Sequence, residues 1–145
     1  METEFVLPDL EAQDTAEFWA GCARGELLVQ ACAQCGRWRF PPRPMCPDCR
    51  SIDVEWVKTS GRATLWSYVV PHPPLLPAYA ELAPYNVIVV ALDEDPTIRM
   101  VGNLVDRAEG PINEIDPAAI RIGEPVRVVF AHVEDVALPR WVRAG

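Results

Sequence analysis

Cys32-Ala33-Gln34-Cys35 and Cys46-Pro47-Asp48-Cys49 stand ten residues apart, and they constrain this chain more than any other feature. A two-residue gap lets both sulfurs of a pair turn toward one point. Two such pairs supply a tetrahedral set of thiolates, the geometry that structural zinc prefers. Four ligands leave no open position, so a Zn2+ held by Cys32, Cys35, Cys46 and Cys49 is structural and activates no water. The alternative is two pairs that are buried or disulfide-bonded. The stretch from Met1 to Glu11 is acidic and lacks an apolar run, so no export signal is visible. The expectation is a cytoplasmic protein, where paired cysteines favour metal over disulfides.

With 145 residues, half of them hydrophobic, the chain can bury a core, either as one domain or as a small module joined to a compact one. Its formal charge of -8 makes free nucleic acid a poor default partner, because phosphate neutralisation needs surplus Lys and Arg. The longest strongly apolar run, Val87 to Leu92, is too short to span a membrane. The charge is uneven: residues 32–50 carry four arginines and one acid, net +3, which leaves -11 on the rest of the chain. A basic patch on an acidic body suits a phosphate-bearing small ligand or an acidic partner face. It equally suits a solvated ribbon whose arginines offset its thiolates.

The order of elements is mostly β. Asp14 with Glu17 resembles a capping box, and Phe18, Trp19, Cys22 and Leu10 can form the apolar stripe of an N-terminal helix ended by Gly25. Glu26 to Ala31 predicts a short strand. Gly36 follows the first cysteine pair, where a tight knuckle needs positive φ. Phe40-Pro41-Pro42-Arg43-Pro44 is held extended by its prolines. Further strands are predicted over Asp53 to Thr59, Arg62 to Val70, Asn86 to Leu92, Thr97 to Val105, Val126 to Val133 and Arg140 to Arg143, with a short helix or turn within Asn113 to Ile120. The strand Asn86 to Leu92, continuously apolar from Val87, predicts burial on both faces. About five strands after residue 60 fit a small Greek-key barrel of the OB type. The parts are then an N-terminal helical segment and lead-in strand (1–31), a zinc ribbon (32–60) and an OB-fold domain (61–145).

Pro71 to Pro84 holds five prolines together with Leu75, Leu76, Tyr79 and Leu82. A loop this long is uncommon in a compact domain. It either presents apolar groups to a partner or acyl chain, or folds back over one end of the barrel. Arg37, Arg39 and Arg43 are candidate phosphate ligands, because guanidinium binds phosphate bidentately. Trp66, Tyr68 and Trp141 can stack on an adenine or simply pack the barrel. Cys22 reads as a small apolar residue of the helix face, His72 as an exposed loop residue, and His132 as a strand residue pointing to solvent. No Ser-His-Asp order, Gly-rich phosphate loop or carboxylate pair stands out.

The ordered combination of Phe18-Trp19, Gly25-Glu26-Leu27, Cys32-x-x-Cys35-Gly36, Phe40-Pro41-Pro42-Arg43, Cys46-Pro47-x-Cys49, Gly61-Arg62-Ala63-Thr64-Leu65-Trp66-Ser67, Ile122-Gly123-Glu124-Pro125-Val126-Arg127-Val128 and Leu138-Pro139-Arg140-Trp141 resembles the thiolase-associated zinc-ribbon and OB-fold proteins, once catalogued as a domain of unknown function. That resemblance implies a rubredoxin-like ribbon followed by a five-stranded OB fold. It implies an auxiliary, non-catalytic subunit of a hetero-oligomer, whose thiolase-like or lipid-transfer-like partner carries the catalytic residues. The subunit would help bind acyl-CoA in mevalonate-type, polyketide-type or steroid side-chain chemistry. Some members have lost the cysteines, whereas this chain keeps all four. Two other classes compete: a nucleic-acid-binding ribbon and OB module, and a stand-alone acyl-CoA enzyme built on Cys22 or His72.

Overall fold

The chain is mostly β, and its computed structural model describes residues 5–144, so the first four residues of the N-terminal segment and Gly145 lie outside it. Helix α1 runs Ala16–Ala23. It is shorter than the sequence predicts. Leu10 sits in the preceding turns, where the Asp9 side chain accepts from the Glu11 N–H at 3.0 Å. The expected capping box is absent: the N-cap is Thr15, in helical backbone, and it makes no side-chain cap. The apolar stripe does form, since Phe18 and Cys22 are buried in the core.

A three-stranded antiparallel sheet follows. Its strands are β1 (Leu28–Cys32), β2 (Trp38–Arg39) and β3 (Val54–Lys58), in the order β2-β1-β3. The two-residue strand β2 has too few residues for a period-2 signal, so sequence pattern alone did not reveal it. The second sheet has five strands: β4 (Arg62–Val69), β5 (Val87–Leu92), β6 (Arg99–Gly102), β7 (Pro125–Val133) and β8 (Val136–Arg143), in the order β6-β5-β4-β7-β8. The sheet curls until its ends meet. Leu104, just past β6, lies parallel to Trp141 of β8, with Trp141 N–H donating to Asn103 O and Val105 N–H to Trp141 O at 3.0 and 2.8 Å. That closure defines an OB barrel.

Gly102 makes the closure possible. A Cβ there would lie 2.9 Å from Trp141 Cδ1, inside van der Waals contact. β8 is longer than the predicted Arg140 to Arg143, because Val136 to Pro139 pair along the tight hairpin with β7. β6 is shorter than predicted. β5 is not buried on both faces along its length: Ile88, Val90 and Leu92 enter the core, whereas Val87 and Val89 are only half-buried. The proline-rich segment contains a helical turn, α2 (Pro77–Ala80), begun by Pro77 at the position where a missing N–H costs nothing. A 3-10 turn at Pro117–Ala119 is capped by the Asp116 side chain.

One core joins all parts. Phe18 and Cys22 of α1 and Val29 of β1 pack with Leu65, Ile88, Val90, Leu104 and Trp141 of the barrel. A second, smaller cluster forms where the proline-rich loop folds back. Leu75, Tyr79 and Leu82 pack there on Tyr85, Val105, Ile112 and Val142. Leu76 remains outside, 58% exposed.

A four-cysteine metal centre and the faces around it

The metal centre is built from two equivalent knuckles. In the first, Gly36 N–H donates to Cys32 O at 2.8 Å and Cys32 N–H to Arg37 O at 2.9 Å. In the second, Arg50 N–H donates to Cys46 O at 3.0 Å and Cys46 N–H to Ser51 O at 2.9 Å. Each closes through a left-handed residue, Gly36 at φ 78° and Arg50 at φ 65°. Glycine adopts that conformation freely, and arginine only at some cost. The first knuckle therefore announces itself in the sequence beyond its cysteines, and the second does not.

The four sulfurs lie within 4.8 Å of one another, with Cys32 Sγ 3.4 Å from Cys49 Sγ and Cys35 Sγ 3.6 Å from Cys46 Sγ. A disulfide needs about 2.0 Å. A tetrahedron with Zn–S bonds of ~2.3 Å has edges of about 3.8 Å, close to what is seen. All four cysteines are free. Their proton affinities also call for a cation. The Cys35 N–H holds the Cys32 thiol down at about 6, and the Cys49 N–H lowers Cys46. The Ser51 N–H pulls Cys49 down, but the Cys32 sulfur and burial outweigh it and raise the thiol to about 12. Cys35 rises in the same way, the Arg37 N–H being outweighed by burial and by the sulfurs of Cys46 and Cys32. Four thiolates packed this closely repel one another, and a dication removes the conflict. The donor set fits structural zinc.

The three candidate arginines differ in burial and in partners. Arg39 is buried. Its Nε donates to Gln30 Oε1 at 2.8 Å and its Nη2 to Arg43 O at 3.1 Å. The same Gln30 oxygen accepts the Arg43 N–H at 2.8 Å. Arg39 thus orients the Arg43 segment from inside the ribbon. Arg37 is half-exposed and paired with Asp48, and Arg43 is exposed. Trp66 sits in a β-bulge of β4, 49% exposed, with the Arg99 guanidinium 3.7 Å above its ring. Tyr68 packs against the main core, and Trp141 is wholly inside it. Cys22 is buried and its thiol is pushed up to about 12 by desolvation. His72 is exposed on the proline-rich loop. His132 is exposed as expected, and its ring and N–H both meet Glu109, an acid that sequence spacing does not connect with it. No helix among the described residues is long and apolar enough to cross a membrane.

A closed cysteine ribbon rooted in an OB barrel defines a recognisable class. The chain matches two family models, the ChsH2 rubredoxin-like zinc ribbon domain over residues 19–55 and the ChsH2 C-terminal OB-fold domain over residues 56–131. It belongs to the ChsH2/DUF35 family. A DUF35 domain-containing scaffold protein of Methanothermobacter thermautotrophicus is 35% identical over 77% of either chain. The 3-oxo-4,17-pregnadiene-20-carboxyl-CoA hydratase alpha subunit of Mycobacterium tuberculosis is 33% identical over 97% of this chain and 41% of its own length. A probable enoyl-CoA hydratase alpha subunit of Thermomonospora curvata is 38% identical over 79% of this chain and 32% of its own. The chain thus spans about two-fifths and one-third of those two hydratase subunits. Among solved structures, a chain of the Ltp2-ChsH2(DUF35) aldolase superposes with a TM-score of 0.79 at 33% identity, over 95% of this chain and 100% of that one.

Proposed function

We propose that this chain is an accessory, non-catalytic subunit that binds a thiolase-like or lipid-transfer-like enzyme in the cytoplasm and helps hold an acyl-CoA substrate, in steroid side-chain or related acyl-CoA metabolism. One observation carries this reading above the others: a chain of the Ltp2-ChsH2(DUF35) aldolase is matched over its whole length. Two hydratase subunits acting on CoA thioesters point to the same substrate class. The closed thiolate set supplies rigidity, and the chemistry belongs to the partner.

Within this reading the exposed guanidinium groups of Arg37 and Arg43 meet the CoA phosphates, while Arg39 holds the Arg43 segment in place. Trp66 and Tyr68 are the aromatic candidates for adenine contact. Trp66 offers a half-exposed ring on the barrel, already stacked by Arg99 on one face.

The test is co-expression with the thiolase-like or lipid-transfer-like protein of the same host. A stoichiometric complex on size-exclusion chromatography is expected, with acyl-CoA binding by calorimetry that is tighter in the complex than in this chain alone. Arg37→Ala with Arg43→Ala should weaken binding about tenfold or more, and unchanged affinity would remove the arginines from the reading. Turnover of acyl-CoA by this chain alone would overturn the accessory role.

A further inference from the structure

Arg140 is a charged side chain buried beneath the proline-rich loop with no direct ion pair among the described residues, although the Glu109 charge acts on it from beyond contact distance. It lies on β8, on the face shared with Val142, and is 9% exposed. Its guanidinium makes no hydrogen bond or ion pair with any described residue, and its Nε is fully enclosed. Five N–H donors are normally satisfied in such a place. Burial lowers its pKa, while Glu109 and Tyr79 act in the opposite direction. An arginine keeps its charge regardless.

The side chain borders two cavities. One, about 350 Å³, is lined by Tyr79, Tyr85, Val87, Ile112, Leu138 and Arg140, with no acid on its walls. The other, about 290 Å³, includes Glu109 and His132. An anion entering the second would meet the Glu109 carboxylate, which the hydrogen bond from His132 keeps ionised. The first has one cation, two phenols and apolar walls. Its volume falls within the range of small-molecule sites, about 300–1,000 Å³. Asn103 also lines it, but its amide is already committed to Asn86 O at 2.6 Å.

We propose that this cavity is a binding site for a small organic carboxylate with an apolar, ring-sized body, the carboxylate paired with Arg140 and the body held between Tyr79, Tyr85 and Ile112. A single guanidinium matches a monoanion. A phosphate dianion would want a second cation or a nest of backbone N–H groups. Tyr79 comes from the folded-back loop and Tyr85 directly follows it, so the loop's packing shapes the pocket: Tyr79 and Tyr85 stand 6.2 Å apart, ring centre to ring centre, tilted by 44°. The site is independent of the acyl-CoA reading, since it needs neither the ribbon arginines nor a partner.

The experiment uses the zinc-loaded full chain with 4-phenylbutyrate and its neutral amide as probes, in calorimetry and thermal melts at fixed chloride. The acid should bind at one saturable site and raise the melting temperature, with the amide at least tenfold weaker, about 1.4 kcal/mol. Arg140→Gln should abolish the preference for the acid while melting at or above the parent temperature, since it removes an unpaired buried charge. Val101→Trp, at the exposed rim of the cavity, should block both probes and decides the matter if Arg140→Gln fails to fold. Equal binding of acid and amide, undiminished acid binding by Arg140→Gln or by Val101→Trp, a melting shift that chloride alone reproduces, or no saturable binding up to about 10 mM would each overturn the proposal.

Discussion

Asn86 has no solvent exposure and does structural work that its position at the head of an apolar run conceals. Its Nδ2 donates to Leu104 O at 3.0 Å, and its Oδ1 accepts the Leu104 N–H at 2.7 Å. One side chain thus imitates a strand partner where the barrel closes. Asn86→Ala would strand a buried N–H and a buried carbonyl at once, so the chain should lose about 2–4 kcal/mol in urea unfolding. A loss under about 1 kcal/mol would mean that water replaces the amide there. Cys22 makes a prediction of the opposite kind. Its thiol is raised from 9.0 to about 12 in the folded state, so the folded form is favoured below pH 9 and loses that advantage as pH rises toward 12. Relative to Cys22→Ala, the parent should therefore destabilise by about 1.4 kcal/mol per pH unit across that window. The cysteine's burial was legible from helical spacing beside Phe18. The role of Asn86 was not, because a hydrogen bond to Leu104 leaves no periodic trace in sequence.

The ribbon and the barrel differ in how openly their elements declare themselves. The ligand set of the metal centre was readable, since four sulfurs from two spaced pairs meet within 4.8 Å, whereas the left-handed Arg50 that closes the second knuckle was not. Spacing sufficed because each knuckle is local, closed by hydrogen bonds within six residues. Strand β2 and the true length of β8 were not readable, since both are fixed by partners distant in space. The arginines show the same limit: composition located the basic segment, but only packing shows that Arg39 turns inward to Gln30. Local closure also predicts the response to metal loss. Chelation of the zinc should release hydrogen-exchange protection at Gly36 and Arg50, whose amides close the knuckles, while β5 stays protected within the barrel core. Simultaneous loss in β5 would mean that zinc supports the barrel as well. At the barrel's seam, Gly102→Ala should destabilise by about 1–3 kcal/mol, because its methyl would meet Trp141, a ring with no room to retreat.

The sequence suggests a ribbon and a barrel as successive units, yet the folded chain has one principal core running through helix, ribbon root and barrel. Val29 of β1 and Leu65 of β4 belong to the same cluster as Trp141. The crossing from one sheet to the other is tight: Thr59 donates both its N–H and its hydroxyl to Leu27 O, each at 2.9 Å, three residues before β4 begins. The two sheets should therefore unfold together in the zinc-loaded protein, even though chelation loosens the knuckles first. Their buried surfaces are each other's, and neither sheet can leave without exposing apolar groups of the other. Pulsed hydrogen exchange along a urea series checks this, with peptides covering β1 and β5 followed separately. Coincident midpoints are expected. Separate midpoints would show that the ribbon is an appendage with its own stability, and a partner enzyme could then move it relative to the barrel. Coincidence instead makes the basic ribbon, the Trp66 face and the proline-rich loop parts of one rigid surface, fixed before any partner arrives.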